Sequence, residues 1–318
     1  MSAAPRTAVV HLVRAANGLA PFEAFLASYA AYPAGLEHDL VLLFKGFDGN
    51  AAALAPYREL AGDRVAAEVH VSDAGLDITA YLAAAGQLGH DRLCFLNSYS
   101  EIAAGGWLGH LRAALDRDGV GAAGATGNWG SHLSFNLYLA GGRGPYATAL
   151  PDRRVARTAM HGLSGSVPGG ELRERAFAAV QALSDVRGMP RFPAAHLRTN
   201  AFLIDRRRLL SLSLGSPQDK RAAYRFEGGR AGLSAQLRAA GQRVVVVGRG
   251  GAIHERDAWD RSDTFWQDDQ QQLLVHDNQT RAYAAADLPT RRVLSAFAWG
   301  QAARAGAPTA RGDGQPKR

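Results

Sequence analysis

The stretch RLCFLNSYSEI, residues 92–102, is an apolar run that ends abruptly in amides and hydroxyls. Arg92 to Leu96 has the length and the unbroken hydrophobicity of a strand buried on both faces, which is a property of parallel sheets covered by helices. The next three residues, Asn97, Ser98 and Tyr99, are polar but carry no charge. Loops beyond the carboxyl ends of parallel strands are where such sheets hold their ligands, so this tip is the first place to look for chemistry.

Working outward, the same signal recurs. TAVVHLVR (7–14) reads as a strand and AANGLA as a loop, and PFEAFLASYAAY repeats Phe22, Phe25, Leu26 and Tyr29 at helical spacing. DLVLLF (39–44) and AAEVHV (66–71) are further strands, with a short helix around 51–60 between them. Ile78, Tyr81, Leu82 and Ala85 line one face of a helix that leads into RLCFLN. GWLGHLRAAL is another helix and GVGAAGA comes after it. The pattern predicts an α/β fold: a mostly parallel sheet flanked by helices on both faces. The loops AANG, FKGFDGN, SDAGLD and NSYSEI gather at one edge.

Further on, 127–170 is rich in glycine with short aromatic pieces such as FNLYLAGG, and reads as a loop-rich insertion. ELRERAFAAVQAL (171–183) is a helix. RTNAFLIDRRRLL reads as a strand running into a turn or helix, and FEGGRAGLSAQLRAAG places Glu227 before a glycine pair and a helix start. QRVVVVG is a buried strand, and TFWQDDQQQLLVHDNQTRAYAAAD (264–287) reads as a long polar helix. The expected organisation is 1–126 as one half of a domain, 127–256 as the other, 257–300 as a C-terminal helical extension and 301–318 as a disordered tail.

Composition narrows the function classes. Hydrophobic residues make up 47% and charged residues 20%, which excludes a mainly disordered chain. No apolar run approaches the roughly 18 residues of a membrane span. The N-terminus has no cleavage pattern and reads as a first strand, so a cytoplasmic location is expected. The single cysteine, Cys94, lies inside LCFL and reads as a buried thiol. The net charge of +7 comes in part from Arg304, Arg311, Lys317 and Arg318 in the tail, and no basic stripe with interleaved aromatics appears, so no nucleic-acid partner is expected.

Several short motifs are set aside on physical grounds. GVGAAG (119–124) matches a dinucleotide fingerprint in letters only, because its glycines lie within a strand instead of opening a helix. GLSGS (162–166) lacks the nucleophile-elbow pattern. RGD (311–313) and NQT (278–280) are accidents of composition. His132, His161, His196 and His254 show no metal-ligand spacing. Glu227 has two readings: an acid favoured by a helix N-terminus, or a catalytic carboxylate.

Taken in order, these segments resemble the GT-A fold glycosyltransferases, of the family-2 type and the rhamnan-synthesis type that build bacterial polysaccharides. VVHLVRAANGLAPFEAFLASY is similar to the family's opening strand, Asn-containing loop and first helix. DITAYLAAAGQLGHDRLCFLNSYSEI resembles its donor-site helix and the strand ending in Asp-x-Asp. RTNAFLIDRRRLL, FEGGRAGLSAQLRAAGQRVVVV and His254 resemble the acceptor-side strand, the Glu-Asp motif and the late histidine. The departures are specific. Phe44 and Lys45 stand where the family-2 pattern has carboxylates, Asn97, Ser98 and Tyr99 stand where it has Asp-x-Asp, and Gly228 comes after Glu227. A carboxylate pair would hold Mg²⁺ or Mn²⁺ at the donor phosphates, so such a cofactor is not supported by this motif. Asp77 to Tyr81, Asp-x-x-Ala-Tyr, resembles the rhamnan-type subgroup more closely.

The resemblance implies transfer of a sugar, with inversion, from a nucleotide-diphosphate donor to a saccharide or lipid-linked hydroxyl. It assigns Glu227 and His254 to catalysis and Arg14, Asn17, Lys45, Asp77, Asn97, Ser98 and Tyr99 to the donor. Arg198 and Asn200 fall to the acceptor or a phosphate. A peripheral membrane contact is compatible with a lipid-linked acceptor. The rivals are a GT-A-like domain that binds a nucleotide sugar or glycan without turnover, and an unrelated nucleotide-binding α/β protein or nucleotidyltransferase.

Overall fold

Buried strands that alternate their side chains between two helical layers build the molecule. The computed structural model describes residues 5–150, 152–164, 170–215 and 219–304. β1 (Thr7–Arg14) leads through a 3₁₀ turn at Ala15–Asn17 into α1 (Ala20–Ala31), and then come β2 (Asp39–Lys45), α2 (Ala51–Ala61), β3 (Val65–Val71), α3 (Asp77–Gln87) and β4 (Arg92–Leu96). The short β5 (Glu101–Ile102), α4 (Trp107–Leu115) and β6 (Val120–Gly124) come next. Along β1, Ala8, Val10 and Leu12 face one layer with Ile78, Tyr81 and Ala84 of α3, while Val9 and Val13 face the other with Phe22 and Phe25 of α1. This period-2 division is what a doubly covered sheet demands.

The second half begins with β7 (Gly127–Asn128) and three helices, α5 (His132–Leu139), α6 (Pro145–Ala149) and α7 (Arg153–Ser164). Among its described residues the segment expected to be loop-rich is therefore largely helical, and Gly141, Gly142 and Gly144 sit between α5 and α6. Next are α8 (Glu171–Asp185), β8 (His196–Leu197), β9 (Ala201–Asp205), α9 (Arg206–Ser211), α10 (Lys220–Gly228), α11 (Leu233–Ala239), β10 (Arg243–Val247) and β11 (Ile253–His254), and β12 (Val275–His276), α12 (Asn278–Ala285) and α13 (Leu288–Trp299) complete the described chain.

The main sheet has eight strands in the order β11-β10-β6-β9-β4-β1-β2-β3. β9 runs antiparallel to β4 and β6, β11 runs antiparallel to β10, and the others run parallel. The fold is thus the expected mostly parallel α/β sheet flanked by helices. The glycines of GVGAAG lie in β6 for packing: a Cβ on Gly124 would stand 2.8 Å from Leu197 Cδ2, and one on Gly121 would stand 2.6 Å from Gln242 Oε1. Cys94 is buried, as expected.

Residues 264–274 correct the long-helix expectation. Asp263, Trp266, Asp268 and Gln270 have φ of 51°, 49°, 35° and 53°, left-handed values that no α-helix accommodates. Glutamine side chains hold this coil: Gln267 Nε2 donates to Trp259 O at 2.8 Å, and Gln270 Nε2 donates to Thr280 O at 2.9 Å. Only from Asn278 does a helix form, behind the Asp277 capping box. Of the tail expected to be disordered, Gln301 and Ala302 belong to a 3₁₀ turn, and 305–318 lie outside the described residues.

Candidate active site

The chain runs β1-β2-β3 toward one edge and then returns to place β4 on the other side of β1. The carboxyl ends of β1 and β4 therefore flank a topological switch point, where the loops diverge and leave a crevice. Asn17 and Ser98 come from the two sides of this crevice, and Asn17 Nδ2 donates to Ser98 Oγ at 2.7 Å. Sequence reasoning named both residues, and the fold brings them into contact across 81 positions.

Arg14 is the last residue of β1 and Lys45 the last of β2. Both turn to Asp73, just beyond β3. Arg14 donates through Nε and Nη2 to the two carboxylate oxygens, each at 2.9 Å. Lys45 Nζ, whose side chain is 1% exposed, donates at 2.7 Å to Asp73 Oδ1 and at 2.7 Å to its backbone oxygen. The hydrogen bonds from Arg14 and then Lys45 hold the Asp73 carboxyl well below the usual range. Asp73 thus joins two cations, and a second carboxylate, that of Asp77, lies close to both. Asp73 was missed from sequence, although SDAGLD was marked as a site loop; the signal available was an acid in a loop beside two strand-end cations.

Asp77 opens α3 in the same neighbourhood. Burial raises its carboxyl pKa, Lys45 and Arg14 oppose the rise, and the charge of Glu227 adds to it. Asp77 and Glu227, separated by 150 residues in the chain, thus share one electrostatic environment. Tyr81, one turn on, is buried, and its hydroxyl has no hydrogen-bond partner.

At the tip, Asn97 Oδ1 accepts from Tyr99 N at 3.1 Å and Ser100 Oγ at 3.0 Å, an Asx turn that fixes the polar loop. Asn97 N donates to Asn200 O at 3.0 Å, tying the end of β4 to the start of β9. Asn200 Oδ1 accepts from Thr126 Oγ1 at 2.7 Å, while its Nδ2 is buried without a partner. Tyr99 O accepts from Arg281 of α12 at 3.2 Å, so the C-terminal segment closes over the tip.

Glu227 lies in the last turn of α10, not at a helix start; α11 begins only at Leu233. Favourable interaction with a helix N-terminus therefore does not account for it. Its Oε1 accepts from Thr199 N at 2.8 Å and Thr199 Oγ1 at 2.5 Å, which places it next to Asn200. It also lines a cavity of about 550 Å³ with Trp129, Pro190, Arg230, Arg238 and Arg256. Gly228 packs directly on His196: a Cβ there would stand 2.8 Å from Nδ1. His196 is buried, which lowers its pKa, while Glu227 acts in the opposite sense. The proximity of His196 to Glu227 and His132 was not foreseen; no spacing in the sequence announces it. His161 lies outside the residues whose side chains are described.

Arg198 and His254 are held differently, Arg198 joining the tip through Thr126, whose Oγ1 accepts from its Nη1 at 3.3 Å and donates to Asn200. Arg198 is buried, donates through Nη2 to the fully buried Asp277 at 2.7 Å and lies 4.1 Å over the Phe265 ring, so it anchors the C-terminal segment. His254 lies on the edge strand β11. Its Nε2 is buried without a partner, a Cβ on Gly248 would stand 3.5 Å from it, and only desolvation perturbs it, with no contribution from Glu227.

The residues at the tip do not fit a resident divalent cation. Asn97 Oδ1 is committed to the turn, and the Asp73 carboxylate is already neutralised by Arg14 and Lys45. Among the described residues no group of three or more His, Cys, Asp or Glu side chains is arranged to hold a metal.

No protein-family model and no curated protein matches the chain. Solved glycosyltransferase structures do overlay it. A mannosyltransferase from Pyrobaculum calidifontis, in complex with GDP-Man and Mn²⁺, is 14% identical over 91% of this chain and 68% of that one, with a TM-score of 0.40. The galactosyltransferase LgtC, in complex with donor and acceptor sugar analogues, is 13% identical over 70% of this chain and 71% of that one, with a TM-score of 0.35. GalNAc-T7 with UDP, GalNAc and Mn²⁺ is 19% identical over 38% of this chain and 22% of its own length, with a TM-score of 0.30. Overlays at this level assign no function.

Proposed function

We propose that the protein is a GT-A-like glycosyltransferase, moving a sugar from a nucleotide-diphosphate donor to a saccharide or lipid-linked hydroxyl. The observation that carries the reading is the bridge made by Glu227: it shares the electrostatic environment of Asp77 at the sheet's switch point and at the same time lines the 550 Å³ cavity. Donor and acceptor then meet at one carboxylate. Asn17, Ser98, Asn97 and Asp77 supply hydrogen-bonding groups for ribose and sugar hydroxyls. Arg14 and Lys45 offset charge on the departing diphosphate, the role that fixed cations serve in phosphoryl sites.

In this reading the acceptor hydroxyl oxygen attacks the anomeric carbon as its proton passes to Glu227 Oε2. The bond from that carbon to the diphosphate oxygen breaks, and its electron pair leaves with the nucleotide diphosphate. A single displacement of this kind inverts the anomeric centre. No step is routed through a metal ion, Arg198 or His254.

One observation favours a second reading, a nucleotide-sugar or glycan-binding protein without turnover. Glu227 Oε1 already accepts two hydrogen bonds from Thr199, which commits one of its two oxygens to holding the backbone. Glu227→Gln separates the two. It keeps the Thr199 bonds through its amide oxygen, so donor binding persists in either case, and the transferase reading requires turnover to vanish. A thermal-shift panel of diphosphosugars, with and without Mn²⁺, tests the donor class: a ligand at 100 times its dissociation constant adds about 2.7 kcal/mol. Preference for free nucleoside triphosphates over diphosphosugars would remove the proposal.

A further inference from the structure

The outward face of α8 is apolar. Leu172, Phe177, Val180 and Leu183 are 82%, 65%, 59% and 75% exposed, Phe177 to Leu183 sweeping about 120° of the helix surface, and Val186 in the turn after it is 50% exposed. The side of α8 that faces the protein carries the small residues Ala178 and Ala182 together with Asp185. A surface helix normally shows the opposite arrangement, with its bulk turned inward. Exposed apolar patches of this kind mark an interaction surface. No described element covers it.

The charges on the helix identify the occupant. Arg173 falls on the same outward face as the apolar side chains, by the roughly 100° advance per residue, and Arg187 is exposed in the turn that follows the helix. Two of the three acids turn away from it: Asp185 is buried against Arg221 at 2.9 Å, and Glu171 is paired with Arg154 at 3.3 Å. The exposed face therefore presents bulky hydrocarbon beside guanidinium groups. A second copy of the chain docked on this face would bring Arg173 and Arg187 toward their equivalents. An anionic lipid surface accepts both components, taking the apolar side chains below the headgroups and pairing the guanidiniums with them.

We propose that α8 seats this protein on an anionic membrane surface. The helix end is tied to the site: Arg225 Nη2 donates to Ser184 O at 2.8 Å, Arg230 N donates to Gly188 O at 2.9 Å, and Pro190 lines the cavity beside Glu227. Docking through α8 thus holds that cavity near the lipid phase, which suits a lipid-linked acceptor. The docking itself stands without the transferase reading.

The test is co-sedimentation of the full chain with phosphatidylcholine vesicles that contain or lack phosphatidylserine. Sedimentation with the anionic vesicles only, weakened by salt, is expected. The double variant Phe177→Ser, Leu183→Ser should partition at least about tenfold less while its circular dichroism and melting are unchanged, because both residues are exposed. Arg173→Glu with Arg187→Glu should remove the preference for phosphatidylserine. Wild-type protein that stays in the supernatant with both vesicles, or a serine variant that sediments equally, overturns the proposal. So does a concentration-dependent dimer in solution that the serine variant abolishes, which would give the face to a second copy.

Discussion

Lys45 and Asp73 are unequal partners, and removing one should not resemble removing the other. The Lys45 ammonium is 1% exposed, whereas the Asp73 side chain is 46% exposed and keeps Arg14 when Lys45 is gone. Asp73→Ala strands a buried cation with the residue-73 backbone oxygen as its remaining hydrogen-bond partner, and a buried charge deprived of its partner costs about 3 kcal/mol or more. Lys45→Met removes that charge, leaves its aliphatic volume filled and should cost about 1 kcal/mol or less. The double variant should then lie close to Lys45→Met, about 3 kcal/mol better than the sum of the single costs. At about 2 °C per kcal/mol for a chain of this size, Asp73→Ala melts about 6 °C low and the double variant about 2 °C low. Differential scanning fluorimetry and urea titration give the cycle directly. Diphosphosugar-induced stabilisation should survive Lys45→Met better than Asp73→Ala, since only the latter frees the Arg14 guanidinium from its fork. Equal destabilisation by the two single variants, or additive costs in the double, would refute this account of the cation pair.

Three further outcomes rest on single side chains. His11 is fully buried, stacked 3.6 Å from the Phe25 ring centroid with neither ring nitrogen bonded, and burial lowers its pKa to about 3. Between pH 6.5 and 3 the unfolded chain therefore binds the proton that the folded chain refuses, so stability is full above 6.5 and falls on acidification by about 1.4 kcal/mol per unit; urea midpoints for His11→Phe should show a correspondingly shallower acid slope, and an unchanged slope counts against the assignment. Asn97→Asp keeps an oxygen for the bonds from Tyr99 N and Ser100 Oγ and should melt like wild type, whereas Asn97→Ala loses the turn and about 1 kcal/mol, a contrast that thermal melts resolve. Gly124→Ala drives a Cβ to 2.8 Å from Leu197 and should cost about 1–3 kcal/mol in urea unfolding; wild-type stability with lost nucleotide binding would instead revive the dinucleotide fingerprint.

The parallel strands were legible because burial on both faces leaves unbroken apolar runs that solvent-facing segments do not imitate; β1, β2, β4 and β10 lie where those runs predict. The coil at 264–274 was not, since its polar residues look the same whether they solvate a helix or, as Gln267 and Gln270 do, bond buried backbone from within. Arg198 illustrates the same ambiguity. An arginine beside a site loop reads as a ligand group, and only the approach of Asp277, 79 residues away, makes it an anchor. Asp73 escaped notice for the converse reason: its partners, 59 and 28 residues distant, meet it only once three strands lie side by side.

The amides at the tip of β4 are explained by those partners. Arg14 and Lys45 deliver permanent positive charge to the switch point from β1 and β2, where the Asp73 carboxylate orients them. A divalent cation brought to the same crevice would be repelled by these residues, so carboxylates at positions 97 and 99 would have nothing to chelate. They would instead compete with Asp73 for Arg14, which already feels Tyr99. Neutral groups avoid that competition while still supplying the turn bonds and the Asn17–Ser98 contact. Introducing Asp at 97 and 99 together should therefore loosen Arg14 from Asp73 without creating Mn²⁺-dependent stabilisation, and a Mn²⁺-induced rise in melting temperature in that double variant would show that the fixed cations do not exclude a metal after all.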